Sequence, residues 1–216
     1  MPTNVNIENY INEVQPPCTD VLGEIQAEAL RDGLPVIPPA VARFISTLLS
    51  IHRCASVLEI GCAVGFSAAL MSRCMTEVGH VTTIDRYPQM IARARENFQR
   101  LGIEDRVTIL EGDARDILPM LSGPFDFIFL DAAKGQYPLF FPECLRLLRP
   151  GGVLLADNVL QGGQTAADRY EVARRQRTTH ARMRAFLSEA CNTPGLESSI
   201  IPIGDGLLLV CKVRDH

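Results

Sequence analysis

The spacing of hydrophobic positions changes character near residue 55. Before that point they recur every three to four residues, as in Val41, Phe44, Ile45, Leu48 and Leu49, which lie on one face of a helix. The pattern predicts helices over 5–14, from a cap at Asp20 to 31, and over 40–51. Breaks fall at Gln15-Pro16-Pro17 and Asp32-Gly33, and Pro38-Pro39 suits the first turn of the third helix. Beyond residue 55, short apolar runs alternate with amphipathic stretches. Strands are predicted at 56–60, 80–84, 106–110, 125–130 and 153–156, with helices near 66–77, 88–101, up to 121, 138–148 and 168–191. Strand and helix in alternation build a parallel α/β sheet. Two last runs, 198–203 and 207–213, flank Gly204-Asp205-Gly206, which is a hairpin signal. No repeat or linker interrupts the chain. One domain over 1–216 is expected, a helical cap (1–52) on a Rossmann-like core (53–216).

Composition narrows the class. The 216 residues are 47% hydrophobic and 21% charged, which suits a globular domain with a sizeable core. A net charge of −4 excludes a globally basic nucleic-acid binder while leaving room for a local basic patch. The seven cysteines are odd in number and form no C-x-x-C pair, so reduced core thiols are expected, without zinc or disulfides. No apolar run is long enough to span a membrane, and Met1-Pro2-Thr3-Asn4 lacks the basic and apolar regions of a signal peptide. A cytoplasmic protein is expected.

The candidate chemistry sits where predicted strands end. Glu59-Ile60-Gly61-Cys62-Ala63-Val64-Gly65-Phe66-Ser67 carries the first strand through a glycine turn into a helix, the geometry that holds nucleotide-like cofactors. Ala63 stands where a dinucleotide fingerprint has its second glycine, which argues against an NAD-dependent oxidoreductase. Asp85, Asp113, Asp131 and Asp157 follow strands two to five, and ligands of open α/β sheets bind outside those carboxyl ends. A carboxylate roughly 20 residues past the glycine turn, as Asp85 is, can accept both ribose hydroxyls. Asp131, Asp157 and Asn158 offer hard oxygen ligands suited to Mg²⁺. Lys134 reaches the same region as a base or a charge, or else forms a surface ion pair. Arg169, Arg174, Arg175, Arg177, Arg182 and Arg184 make the 168–191 helix locally basic. That run is either a solvated face or a surface for phosphates.

Together these residues carry a resemblance. The 59–67 turn, Asp85, Gly112-Asp113-Ala114, Asp131-Ala132-Ala133-Lys134, Asp157-Asn158 and Pro202-Ile203-Gly204-Asp205-Gly206 resemble the Mg²⁺-dependent catechol and caffeoyl-CoA type O-methyltransferases, which are class I S-adenosylmethionine enzymes. The resemblance spans about Ile37 to Val213. It implies a seven-stranded, mostly parallel sheet with one antiparallel strand, helices on both faces, and a homodimer. It places S-adenosylmethionine against Ile37, Glu59, Gly61, Ser67, Asp85, Asp113, Ala114 and Asp131. It assigns Mg²⁺ to Asp131, Asp157 and Asn158, and catalysis to Lys134 with Asp131. Within the family, Asp131-Ala132-Ala133-Lys134-Gly135-Gln136-Tyr137 with Phe140-Phe141 is most similar to bacterial tRNA 5-hydroxyuridine methyltransferases, which implies tRNA as substrate and a phosphate role for Arg174, Arg175 and Arg177. The alternatives are a small-molecule enzyme acting on catechols or CoA-linked phenols, and a binding module without turnover. Gln161-Gly162 replaces the aromatic or basic residue that relatives tend to carry, and no tryptophan is present to clamp a small phenol.

Overall fold

Seven strands join into one sheet in the computed structural model, which describes residues 5–15 and 18–213. The expected Pro16-Pro17 break and the first four residues lie outside that range. Strands β1 (Ser56–Ile60), β2 (His80–Asp85), β3 (Val107–Glu111), β4 (Phe125–Leu130) and β5 (Leu148–Ala156) run parallel. The closing hairpin, β6 (Leu196–Ile201) and β7 (Leu207–Lys212), inserts β7 antiparallel beside β5 and leaves β6 at the edge. The order is β3-β2-β1-β4-β5-β7-β6. The strand order reverses between β1 and β4, so their carboxyl ends open a crevice at the switch point.

Alternation along the strands divides the core in two. Val57, Phe127, Phe129 and Leu155 face α2 (Val21–Arg31), α3 (Pro39–His52), α4 (Phe66–Cys74) and α5 (Pro88–Leu101). Leu58, Ile60, Ile128, Leu130 and Leu154 face α7 (Tyr137–Leu147) and α8 (Arg177–Asn192), with the short α6 (Ala114–Ile117) at their margin. Both faces are therefore covered, as parallel strands require. Helix α1 (Val5–Val14) lies against α3. Within the cap, Gln26 Nε2 donates to the Ile37 carbonyl at 3.0 Å, and Arg100 of α5 ties the cap to the core by gripping Glu28 at 2.8 Å.

Three boundaries differ from expectation. Helix α4 stops at Cys74. Strand β5 begins at Leu148, because Arg149-Pro150-Gly151-Gly152 forms a bulge: Phe125 pairs with Leu148, but Phe127 pairs with Val153. Gly151 takes a left-handed φ of 74° there. The basic helix begins at Arg177, nine residues later than its charge pattern implied. Residues 158–176 instead form a loop of short turns, so Arg169, Arg174 and Arg175 are loop residues.

Candidate active site

A cavity of about 400 Å³ opens at the carboxyl ends of β1, β2 and β4. Its wall includes Ile37, Gly61, Ser67, Asp85, Asp113, Ala114, Asp131, Lys134 and Asn158. Nine of the candidates thus meet in one space. That volume lies within the range of small-ligand pockets. Glu59 and Asp157 are buried behind the wall, and Arg174, Arg175 and Arg177 lie away from it.

The glycine turn is shaped by close approach. Gly61 has φ 106°, and a Cβ there would stand 2.0 Å from the Asp131 carbonyl oxygen. Any side chain would push apart the β1 and β4 ends. Gly65, φ 82°, opens α4 against the Phe98 ring. Ala63 also has a left-handed φ of 44°, so the turn keeps a glycine-like conformation without the glycine. Asp85 holds it there: Oδ2 accepts from the Cys62 and Ala63 amides at 3.1 and 2.9 Å, and Oδ1 accepts from the Tyr87 amide at 2.9 Å. On the next strand, Asp113 caps α6 through the Arg115 amide. The Arg115 guanidinium, with Arg86 beside it, holds the Asp113 carboxyl well below the usual range.

Glu59 is fully enclosed. Its Oε2 accepts from the Thr83 hydroxyl, while Oε1 has no hydrogen-bond partner. Burial raises its proton affinity to a pKa of about 8.

The other side of the cavity is built from charge. Asp131 and Asp157 leave adjacent strands at the same level, since Leu130 pairs with Ala156. Burial raises the proton affinity of both carboxyls, and Asp131 raises that of Asp157 further. Lys134 opposes this as the nearby cation. Asp157 Oδ1 accepts from the Asn158 amide at 2.6 Å, and Asn158 takes a left-handed φ of 56° that turns it to the cavity wall. The closing hairpin fixes the residues just after it. Val159 N–H donates to the Gly206 carbonyl, and the Leu160 and Gln161 amides donate to that of Asp205. Gly206 needs its missing side chain, because a Cβ would meet Leu160 at 2.3 Å. Among the described residues, no three His, Cys, Asp or Glu side chains gather into a metal cage. Two carboxylates and an amide are the donor set on offer.

The arginines of α8 have a structural occupation. Arg177 Nε donates to the Val172 carbonyl at 3.1 Å, Arg184 Nη1 to that of Thr165 at 3.3 Å, and Arg182 Nη1 to that of Gly135 at 3.1 Å. His180 Nε2 meets the Ala167 carbonyl at 3.2 Å, which assigns the proton to that nitrogen. Arg177 is therefore a loop fastener through its Nε. Arg174 and Arg175 remain exposed.

Sequence reasoning missed Pro35, Val36, Arg86, Tyr87, Met90, Gln136 and Phe140 on the cavity wall. Of these, Arg86 and Tyr87 were within reach, since they directly follow Asp85.

The O-methyltransferase family model matches residues 15–213. The chain belongs to the O-methyltransferase family. A catechol O-methyltransferase of Niastella koreensis is 34% identical over 165 residues, covering 74% of this chain and 75% of the relative. A putative caffeoyl-CoA O-methyltransferase structure from Staphylococcus aureus superposes with a TM-score of 0.88 at 27% identity, covering 97% of this chain and all (100%) of that one. The Bacillus cereus O-methyltransferase in complex with SAH gives 0.84 at 27% identity, over 96% and 97% of the two chains. The protein is an S-adenosylmethionine-dependent O-methyltransferase. The seven-stranded sheet expected from the resemblance is the one observed. No described helix is long and apolar enough to cross a membrane.

Proposed function

We propose that this O-methyltransferase methylates one hydroxyl of a small, vicinally oxygenated phenol, free or CoA-linked, at a Mg²⁺ ion held by Asp131, Asp157 and Asn158. The observation that carries this reading is the pair of carboxylates on adjacent strand ends, Asp157 buried and Asp131 half-buried on the cavity wall. They repel each other, opposed by the Asn158 amide and by Lys134 as the nearby cation, so a divalent cation suits the site electrostatically. The relationship to a catechol O-methyltransferase favours a small substrate over tRNA.

The methyl donor fits the remaining wall. Asp85 keeps acceptor capacity on Oδ1 for ribose hydroxyls. Asp113 and Ala114 border the adenine side, and Ile37 closes the cavity from the cap. Gly61 and Ser67, at the entry to α4, take the methionine end with Glu59 behind them. Three cavity carboxylates, Asp85, Asp113 and Asp131, match a ligand that carries a sulfonium and an ammonium. When bound, the metal supplies Lewis acidity that lowers the pKa of a substrate hydroxyl. Lys134, the cation of this wall, guides the released proton out of the site and balances the charge of the oxyanion. The apolar surfaces of Ile37, Met90 and Phe140 exclude water from the methyl path. Positioning and charge stabilisation provide most of the acceleration.

The second reading, tRNA 5-hydroxyuridine, rests on the exposed Arg174 and Arg175. One experiment separates the two. Labelled S-adenosylmethionine is offered with a catechol panel and, separately, with bulk tRNA, each with and without EDTA. Label in catechols, lost in chelator and restored by Mg²⁺, is expected. Label in tRNA alone selects the second reading, and full activity in EDTA removes the metal. Light scattering tests the homodimer implied by the family resemblance.

A further inference from the structure

We infer that Tyr137 is a positioning residue that holds the β4 and β5 ends at the separation needed for Asp131 and Asp157 to share one cation. The inference rests on the metal reading above. Tyr137 opens α7 and is fully buried. Its hydroxyl faces two backbone carbonyls, Leu130 at 3.2 Å and Asp157 at 3.0 Å. Leu130 immediately precedes Asp131, and the Asp157 carbonyl belongs to the other carboxylate's own residue.

These contacts lie where the sheet stops helping. The last rung between the strands is the Asp157 amide donating to the Leu130 carbonyl at 3.0 Å. Beyond it the strands diverge, Asn158 turns to a left-handed φ, and the Asp157 carbonyl has no strand to pair with. Two like-charged carboxylates at that point push the ends apart. A single hydroxyl proton shared between the two carbonyls opposes this from inside the core, where no water can substitute. Around the ring the packing is aromatic: Phe186 of α8 meets it edge-on at 5.5 Å and 83°, and Phe141 meets Phe186 at 5.2 Å. The tyrosine does not line the cavity, so it acts only through the residues it spaces.

The test is Tyr137→Phe in the full-length protein, which removes one oxygen and keeps the ring. Divalent-ion affinity is measured directly with Mn²⁺ by electron paramagnetic resonance, alongside SAH affinity and melting temperature. Phe186→Leu serves as a packing control. We expect Mn²⁺ to bind about tenfold more weakly to Y137F, with SAH affinity within about twofold, and F186L to melt earlier with wild-type Mn²⁺ affinity. Unchanged Mn²⁺ affinity in Y137F overturns the inference. So does an equal loss in F186L, which would make the effect general loosening. If wild type binds no Mn²⁺, the metal reading itself fails, a distinct result. Should Y137F not fold, the wild-type hydroxyl proton is followed by NMR. A slowly exchanging resonance that shifts with Mg²⁺ supports the role, and a resonance indifferent to Mg²⁺ overturns it.

Discussion

The two walls of the cavity solve opposite problems. On the donor side, the turn after β1 is set by backbone geometry, and its one carboxylate, Asp85, already accepts three amide hydrogens. On the acceptor side, the buried Asp157 and the half-buried Asp131 have raised proton affinity, opposed by Lys134 as the nearby cation. The first wall holds its turn in shape before any ligand arrives, with the buried Glu59 Oε1 behind it still unpartnered, whereas the second is left electrostatically short of a cation. A preformed cradle suits a cofactor shared by many reactions. An unsatisfied charge pair gives its binding energy to whatever brings the missing charge.

Removing the charge pair is the sharpest way to break that contrast. Asp131→Asn should lower kcat/KM by about 10³ or more, yet leave the melting temperature of the ligand-free protein unchanged or higher, since a repulsion disappears. A large drop in melting temperature would show that the pair stabilises the fold. The donor wall should behave the other way. Gly61→Ala drives a Cβ into the Asp131 carbonyl and should cost about 1–3 kcal/mol of stability, together with most SAH affinity; calorimetry reads both, and wild-type values would refute the close-packing account. A third, smaller effect concerns Glu59. Its folded pKa of about 8 exceeds the ordinary 4.5, so the native state binds the extra proton. That contribution is fully present below about pH 4.5 and is lost as pH rises through about 8. Glu59→Gln should flatten the fall in melting temperature of the ligand-free protein between those values, and an unaltered slope rejects the assignment. The smallest effect is expected outside both walls. Replacing Arg174 and Arg175 with Ala should change catechol turnover by less than about twofold, and a steep loss of activity with altered salt dependence would reinstate a phosphate-bearing substrate.

The donor wall was largely legible in the sequence because it is local. A strand, two glycines and a helix start lie within nine residues, and Asp85 ends the neighbouring strand. Its partners Pro35 and Val36 were hidden, since a proline-rich connector carries no sign of the cavity it will line. The acceptor wall was legible as a set of residue types but not as a geometry. Nothing in the spacing of Asp157 shows that it sits behind the wall, or that the Gly204-Asp205-Gly206 hairpin anchors the residues after Asn158. The basic helix was misplaced at its start for a related reason. Arginine runs have good helix propensity, and only the tertiary structure shows that 165–176 turns back so that the Thr165 and Val172 carbonyls meet the guanidinium groups of α8.

Those guanidinium contacts bear on how the enzyme can diversify. Arg177, His180 and Arg184 hold Val172, Ala167 and Thr165 by their carbonyl oxygens, a group every amino acid possesses. The fastening is therefore blind to which side chains the loop carries. Apart from the buried Thr165 and Val172 and the left-handed Gln161, Gly162 and Gly163, positions of 161–176 can be rewritten while the path of the loop persists.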